Sequence, residues 1–221
     1  MEEVAGAAYL LERIPMRSAF LLCVLLLTLL AGCAQATTHE GHAANGADPM
    51  TAGTVLDPPT QLVDFTLPSS LGRPIGLADL KGKPTLLFFG FTNCPDFCPI
   101  TLADFKRTKT DLGADGDKVN YLLISVDPER DTPEVLASYV SGFDPSFVGL
   151  QGDDATLRKI GRDFGLFFER QPPDSSGAYD VDHGSAVYLL DTEGHLRVLY
   201  SNGTPYTTYV QDLRKMIADS R

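Results

Sequence analysis

Residues 83–100 have the sequence KPTLLFFGFTNCPDFCPI, in which a strand pattern gives way to two cysteines. Thr85 to Phe91 is a short apolar run that ends at a polar break, as a buried central strand does. From Thr101 to Leu112 the apolar residues recur with the period of an amphipathic helix. Cys94 and Cys98 are therefore predicted where a strand turns into a helix, at the sheet edge where open α/β folds place their chemistry.

The spacing of the two cysteines allows two kinds of chemistry. Cys94 and Cys98 are four positions apart, so their β-carbons lie roughly 5–6 Å apart if the segment is nearly helical. The sulfurs can then form a disulfide, or stay apart and hold one metal ion. Pro95 and Pro99 favour a stiff loop or a first helical turn, where the helix dipole is expected to lower a thiol pKa. Two buried structural cysteines are the less favoured alternative.

Residues 1–32 have the pattern of a lipoprotein signal peptide. Ala19 to Leu30 is almost entirely apolar and leads through Leu-Ala-Gly into Cys33, an order that resembles the lipobox of bacterial lipoproteins. We therefore expect Cys33 to be lipidated, the chain to be held on the extracytoplasmic (periplasmic) side of the cell membrane, and Cys23 to be removed. An uncleaved membrane helix is the alternative, but the run is short for one. The acidic first fifteen residues do not fit a signal, so we interpret Met16 as the true start.

Residues 33–60 are predicted to be a flexible tether, because they are rich in Ala, Thr and Gly. His39, His42 and Met50 leave a copper-scavenging tail open as an alternative to a plain linker. The net charge of −11 argues against nucleic-acid binding. It predicts a partner that tolerates negative charge, or a bound cation.

Residues 61–221 are predicted to form one α/β domain. Phe65–Leu67 and Ile75–Leu77 flank a turn and predict an N-terminal β-hairpin extension. Strand and helix patterns then alternate before a closing hairpin, which indicates a mixed central sheet flanked by helices. The later predicted strands are Thr85–Phe91, Tyr121–Val126, Phe147–Leu150, Ala186–Leu190 and Leu196–Tyr200, and the predicted helices are Thr101–Leu112, Pro133–Val140 after a Thr132 cap, Asp154–Phe164 with Asp154 as cap, and Thr204–Ala218.

Three motifs, FTNCPDFCP, SVDPERDTP and VDHGSAVYLLD, occur in this order before the closing hairpin. Together they resemble the Sco/SenC family of thioredoxin-like proteins that handle copper, over about Leu62 to Ser220. The resemblance implies a thioredoxin-like fold and a copper site formed by Cys94, Cys98 and His183. It also implies a role in assembling the CuA centre of cytochrome c oxidase. The implied partners are subunit II of the oxidase and, beside it, other copper chaperones or thiol reductants.

The residue types at the implied site suit copper. Two thiolates and one imidazole are soft ligands of the kind copper prefers, in the Cu(I) or the Cu(II) state, although the same set also occurs in catalytic zinc sites. His183 is expected at the end of a polar loop, just before a strand. Asp127 or Asp182 is predicted to orient its imidazole from outside the ligand set, unless either is only a capping or loop residue.

Two enzyme classes compete with this hypothesis. A thiol peroxidase is excluded because Phe91, not threonine, lies three residues before Cys94. An extracytoplasmic thiol–disulfide oxidoreductase, with Cys94 and Cys98 as its redox-active pair, stays open as the alternative. The stretch His183-Gly184-Ser185 lacks the proline that thioredoxins carry before the facing strand. Copper binding requires His183 and simple thiol exchange does not, so this residue separates the two hypotheses.

Overall fold

The fold is built around the strand β4, Thr85–Gly90, in which all six residues are buried. A computed structural model describes residues 53–219 of the chain. An uninterrupted apolar sequence forms this strand because both faces of the sheet are covered there. Phe88 and Phe89 are completely inaccessible to solvent. The prediction of a buried central strand is confirmed.

The remaining elements alternate as the sequence predicts. In chain order the strands are β1 (Thr54–Thr60), β2 (Thr66–Leu67), β3 (Ile75–Gly76), β4, β5 (Asn120–Ser125), β6 (Val148–Gln151), β7 (Phe168–Arg170), β8 (Val181–His183), β9 (Val187–Leu190) and β10 (Leu196–Tyr200). The helices are α1 (Leu77–Leu80), α2 (Phe97–Leu112), α3 (Pro133–Ser141), α4 (Asp154–Phe164) and α5 (Tyr206–Asp219), with a 3-10 helix at Gly113–Lys118.

Six of the strands form one mixed sheet in the order β1-β10-β9-β4-β5-β6. β4, β5 and β6 run parallel, while β9 pairs antiparallel with β4. β2 and β3 form the separate N-terminal hairpin. The mixed α/β architecture and the hairpin are therefore confirmed. Within residues 53–219 no helix is both long enough and apolar enough to cross a bilayer.

The first strand corrects the predicted start of the domain. Residues 33–60 were predicted to be a tether, but Thr54–Thr60 is a strand that pairs antiparallel with β10. The strand contains Pro58 and Pro59, and proline cannot donate a hydrogen bond to a ladder. β1 is an edge strand with only one neighbour, where prolines are tolerated. The folded domain therefore begins at β1 rather than at residue 61.

Three helix starts also differ from the prediction, and the smallest difference is in α5, which begins at Tyr206 and not at Thr204. α2 begins at Phe97, four residues earlier than expected, with Pro99 in its first turn, where a missing N–H costs no hydrogen bond. The cap of α4 is Asp153 and not Asp154, because the side chain of Asp153 accepts a hydrogen bond from Thr156 N at 2.7 Å. The predicted Thr132 cap of α3 is confirmed.

A short hairpin outside the main sheet was not predicted. β7 and β8 pair antiparallel, and Phe168 lies opposite His183. The sequence analysis placed His183 at the end of a loop, whereas it is the last residue of β8. Each strand has only three residues, and half of the six are exposed, so no alternating apolar pattern was present to indicate them.

Candidate metal centre

The two cysteines lie just beyond the carboxyl end of β4. Cys94 is in the loop, where its N–H donates to Phe91 O at 3.4 Å, and it is half-buried. Cys98 is the second residue of α2 and is completely buried. Both are free thiols. The expected placement in a loop and a first helical turn is confirmed, and it leaves one sulfur accessible and the other enclosed.

His183 reaches the cysteines from β8, on the opposite side of the loop. The rings of Phe88 and Phe91 meet its imidazole edge-on, with centroids 5.9 Å and 5.6 Å away. Nδ1 lies 2.9 Å from Gly184 O, and a carbonyl oxygen only accepts, so Nδ1 carries the proton. Nε2 is then an unprotonated nitrogen, and it lies 3.8 Å from Cys98 Sγ.

Three ligand atoms converge at this point. The sulfurs of Cys94 and Cys98 and one ring nitrogen of His183 all lie within 4.8 Å of one another. Two sulfurs and one nitrogen in that space are a soft donor set, which fits copper better than magnesium or calcium. The structure therefore brings together the three residues predicted as metal ligands.

The protonation of the site departs from the expectation of an activated thiol. Burial raises the pKa of the Cys98 thiol well above its usual value, and the neighbouring Cys94 adds to the effect. The enclosed position of Cys98 outweighs the helix dipole that was expected to lower a thiol pKa. Burial also lowers the pKa of His183, which favours the neutral imidazole that binds metals.

Neither aspartate predicted to orient the imidazole does so. Asp182 precedes His183 on β8, and its carboxylate accepts a hydrogen bond from Gln171 Nε2 at 2.6 Å instead of contacting the imidazole. Asp127 accepts from Tyr179 Oη at 2.8 Å and is ion-paired with Arg130. The orienting contact comes from the backbone carbonyl of Gly184, which no side-chain pattern reveals.

A buried carboxylate that was not predicted lies behind the cysteine loop. Asp131 is completely buried. It accepts hydrogen bonds from Thr92 N at 3.0 Å, Thr92 Oγ1 at 2.6 Å and Ser125 Oγ at 2.6 Å. Thr92 is two residues before Cys94, so Asp131 fixes the start of the loop. The signal was an acid within SVDPERDTP, six residues beyond the end of the buried strand β5.

A stack of side chains holds the segment that leads to His183. The guanidinium carbons of Arg130 and Arg170 each lie 3.8 Å from the centre of the Tyr179 ring. Arg130 Nη1 also donates to Tyr179 O at 2.9 Å. Tyr179 is four residues before His183, and these contacts tie its loop to the end of β5. The tyrosine lies in a Pro/Ser/Gly loop, where sequence alone did not indicate a fixed position.

The other predicted sites lie outside the described residues. They are the lipidation site Cys33, the discarded Cys23 and the tail residues His39, His42 and Met50. The signal peptide of residues 1–32 also falls there, and so does the greater part of the predicted tether. These assignments stay predictions.

Comparison with known proteins identifies the family. A profile described as SCO1/SenC matches residues 56–218. The chain belongs to the SCO1/SenC family. The mitochondrial SCO2 homolog of Bos taurus is 36% identical over 160 residues, which cover 72% of this chain and 60% of the bovine protein. This chain therefore matches less than two thirds of that relative's length.

Solved Sco structures share the thioredoxin-like fold. Copper-bound ScoI of Bradyrhizobium japonicum is 37% identical with a TM-score of 0.65, and the match covers 70% of this chain and 98% of that one. BsSco is 26% identical with a TM-score of 0.58, covering 72% of this chain and 95% of that one. BsSco is described as carrying a disulfide switch and as a member of the Sco family of cytochrome c oxidase assembly proteins.

Proposed function

We propose that this SCO1/SenC protein binds one copper ion and delivers it to the CuA site of cytochrome c oxidase. The observation that carries the proposal is the convergence of Cys94, Cys98 and His183, whose ligand atoms lie within 4.8 Å of one another. The copper-bound state of the ScoI relative supports the choice of metal. The description of BsSco as an oxidase assembly protein supports the choice of recipient. Copper is here the cargo and not a catalytic cofactor.

The unequal burial of the ligands suits a transfer role. Cys98 is enclosed, whereas Cys94 lines an open cleft together with His183 and Phe97. An incoming ligand of a recipient protein can reach the metal through this cleft. It can displace the accessible Cys94 sulfur first, while the enclosed sulfur and the imidazole still hold the ion.

The proposal places the protein on the extracytoplasmic face of the cell membrane. Its support is the lipobox-like sequence that ends at Cys33. A lipid chain on this cysteine would attach the folded domain to the membrane through the residues between it and β1. The domain would then face a membrane-bound oxidase subunit from the same side.

The ligand role of His183 is tested by comparing two histidine variants. His183→Ala is expected to weaken Cu(I) binding at least about a hundredfold, since even an outer partner of a metal ligand is worth about 10–100-fold. His195→Ala is the matched control, because His195 lies beside Asp191 and Glu193 in the β9–β10 turn. The measurement is competition with a Cu(I) chelator on reduced protein. Equal affinity in the wild type and His183→Ala would disprove the proposed site.

A second function, reduction of the cysteines of the CuA site, rests on the same thiol pair. Two free thiols within 4.8 Å of each other support it, and so does the disulfide switch described for BsSco. Mild oxidation is expected to join Cys94 and Cys98 reversibly, and His183→Ala is expected to keep this reaction. Alkylation trapping that never detects the bond would rule out the oxidoreductase hypothesis and leave copper binding untouched.

A further inference from the structure

Exposed apolar side chains concentrate around the metal centre. Five large apolar residues are well exposed within residues 53–219, and three of them lie on or directly beside the segments that carry the ligands. Phe97 is 47% exposed and Ile100 is 60% exposed, and both lie in the first turn of α2 beside Cys98. Phe167 is 61% exposed, and its carbonyl accepts a hydrogen bond from Gly184 N at 2.9 Å. Apolar residues grouped in this way mark a contact surface.

The same opening carries an uncompensated negative charge. Asp96, Asp180 and Asp182 line the cleft of Cys94 and His183, and no lysine or arginine of residues 53–219 lines it. All three aspartates are exposed. The hydrogen bonds described for two of them come from neutral donors, since Asp180 accepts from Val181 N at 2.8 Å and Asp182 from Gln171 at 2.6 Å. The metal centre therefore opens through a face that is both apolar and acidic.

We propose that this face, formed by Phe97, Ile100 and Phe167 with the three aspartates, docks a protein whose contact surface is apolar and rimmed by Lys and Arg. The proposal rests on the proposed function, because the docked protein is the one that exchanges copper with the site. Apolar contact supplies the binding energy, and opposite charge guides the approach and fixes the orientation.

Charge decides between this occupant and two others. A second copy of the chain, docked face to face, would bring two sets of aspartates together, and each chain carries a net charge of −11. Like charges placed across an interface suppress such pairing. An anionic lipid surface would be repelled for the same reason. Of the three occupants, only a cationic protein surface is attracted by the aspartates and can also pack against the apolar side chains.

The experiment uses the soluble CuA domain of oxidase subunit II from the source organism as the probe. Metal-free protein is titrated with the probe and followed by NMR shift perturbation, while transfer from copper-loaded protein is followed by stopped-flow absorbance. We expect the shifts to map to α2 and the segment around Phe167. We also expect the transfer rate at limiting concentration to fall at least about fivefold between 20 mM and 300 mM NaCl, because salt screens exposed charges.

Matched variants separate charge from apolar contact. Asp96→Asn/Asp180→Asn is expected to slow association at low salt and to remove most of its salt dependence. The control removes two equal charges elsewhere, at Asp117 and Glu193, whose side chains are 81% and 76% exposed. Neither pair supplies a metal ligand, so chelator competition should give unchanged Cu(I) affinity for both.

The apolar half of the surface has its own pair of variants. Phe97→Ser/Phe167→Ser is expected to raise the Kd for the probe at least about tenfold, as loss of a central apolar anchor does. Leu71→Ser/Val135→Ser replaces two exposed apolar residues, 51% and 41% exposed, on segments that carry no ligand, and should leave the Kd unchanged.

Several results would overturn the docking proposal. They are wild-type behaviour of both the aspartate and the phenylalanine double variants, no binding of the probe, shifts that map to Leu71 and Val135, self-association through α2, or binding of the face to anionic vesicles. Failure of the wild-type protein to bind copper would instead contradict the proposed function. In that case the titration of metal-free protein still decides whether the face docks the probe.

Discussion

Replacing Asp131 is expected to be among the most damaging single changes that leave the three ligands in place. Its carboxylate is fully buried and accepts from Thr92 N, Thr92 Oγ1 and Ser125 Oγ. Asp131→Ala leaves all three donors without their acceptor, and each buried unpaired donor costs about 1–3 kcal/mol. We expect a loss of about 3–5 kcal/mol, a large part of the roughly 5–15 kcal/mol that stabilises a typical domain.

Asp131→Asn should cost much less stability than Asp131→Ala, because the amide can keep the three hydrogen bonds. Its oxygen can replace Oδ2, which accepts from Thr92 N and Ser125 Oγ. Its nitrogen can replace Oδ1 and donate to the Thr92 hydroxyl, which rotates to accept. Only the extra strength of hydrogen bonds to a charged group is lost, about 1–1.5 kcal/mol.

Urea unfolding of the reduced, metal-free protein measures both changes. The wild type, Asp131→Ala and Asp131→Asn are compared at pH 7, with Thr92→Val in a double-mutant cycle to isolate the hydroxyl contact. Because Thr92 begins the cysteine loop, Asp131→Ala should also weaken Cu(I) binding, while Asp131→Asn largely preserves it. The reasoning fails if the alanine and asparagine variants lose the same stability, or if the alanine variant loses less than about 1 kcal/mol.

Three further predictions concern packing, pH and membrane attachment. Gly90→Ala is expected to cost about 1–3 kcal/mol of stability and to weaken copper binding, because the new Cβ would lie 2.7 Å from Cys98 Sγ. Urea unfolding and chelator competition measure the two effects, and unchanged stability and copper affinity would contradict this prediction. Burial raises the pKa of Asp144, but hydrogen bonds from Ser146 and Lys109 outweigh this and leave it lowered, so its stabilising contribution is complete above about pH 4 and is lost as the pH falls through the folded pKa. The stability lost in Asp144→Asn should accordingly shrink between pH 7 and pH 3, and a constant difference in urea unfolding would refute this. Cys33→Ala should move the protein out of the detergent phase or block its processing, whereas an unmodified Cys33 in the mature chain, found by mass analysis, would exclude lipidation.

The parts of the fold that were predicted are those with strong local patterns. β4 is an unbroken apolar run that could only be buried, and the Thr132-Pro133 pair marks the start of α3. The convergence of the three ligands was implied by the family resemblance and not by spacing, since His183 is 89 positions beyond Cys94. Local sequence patterns do not predict contacts between segments so far apart. The ligand set was therefore predicted from the three family motifs.

The parts that were missed depend on tertiary contacts. β1 contains two prolines, and only its place at the sheet edge makes it a strand. β8 is three residues long and is defined by its pairing with β7. The raised pKa of Cys98 follows from complete burial, which a position near a helix start does not reveal. In each case the deciding neighbour is distant in sequence.

One motif that supplies no ligand holds both halves of the metal centre. On one side Asp131 binds Thr92 and so fixes the loop of the cysteines. On the other side Arg130 stacks on Tyr179 and binds its carbonyl, and Asp127 accepts from the Tyr179 hydroxyl, which fixes the loop that leads to His183. Because the end of β5 fixes both ligand-bearing segments, the distance between sulfurs and imidazole depends on SVDPERDTP. That dependence gives a physical reason for this motif to accompany the two that supply the ligands.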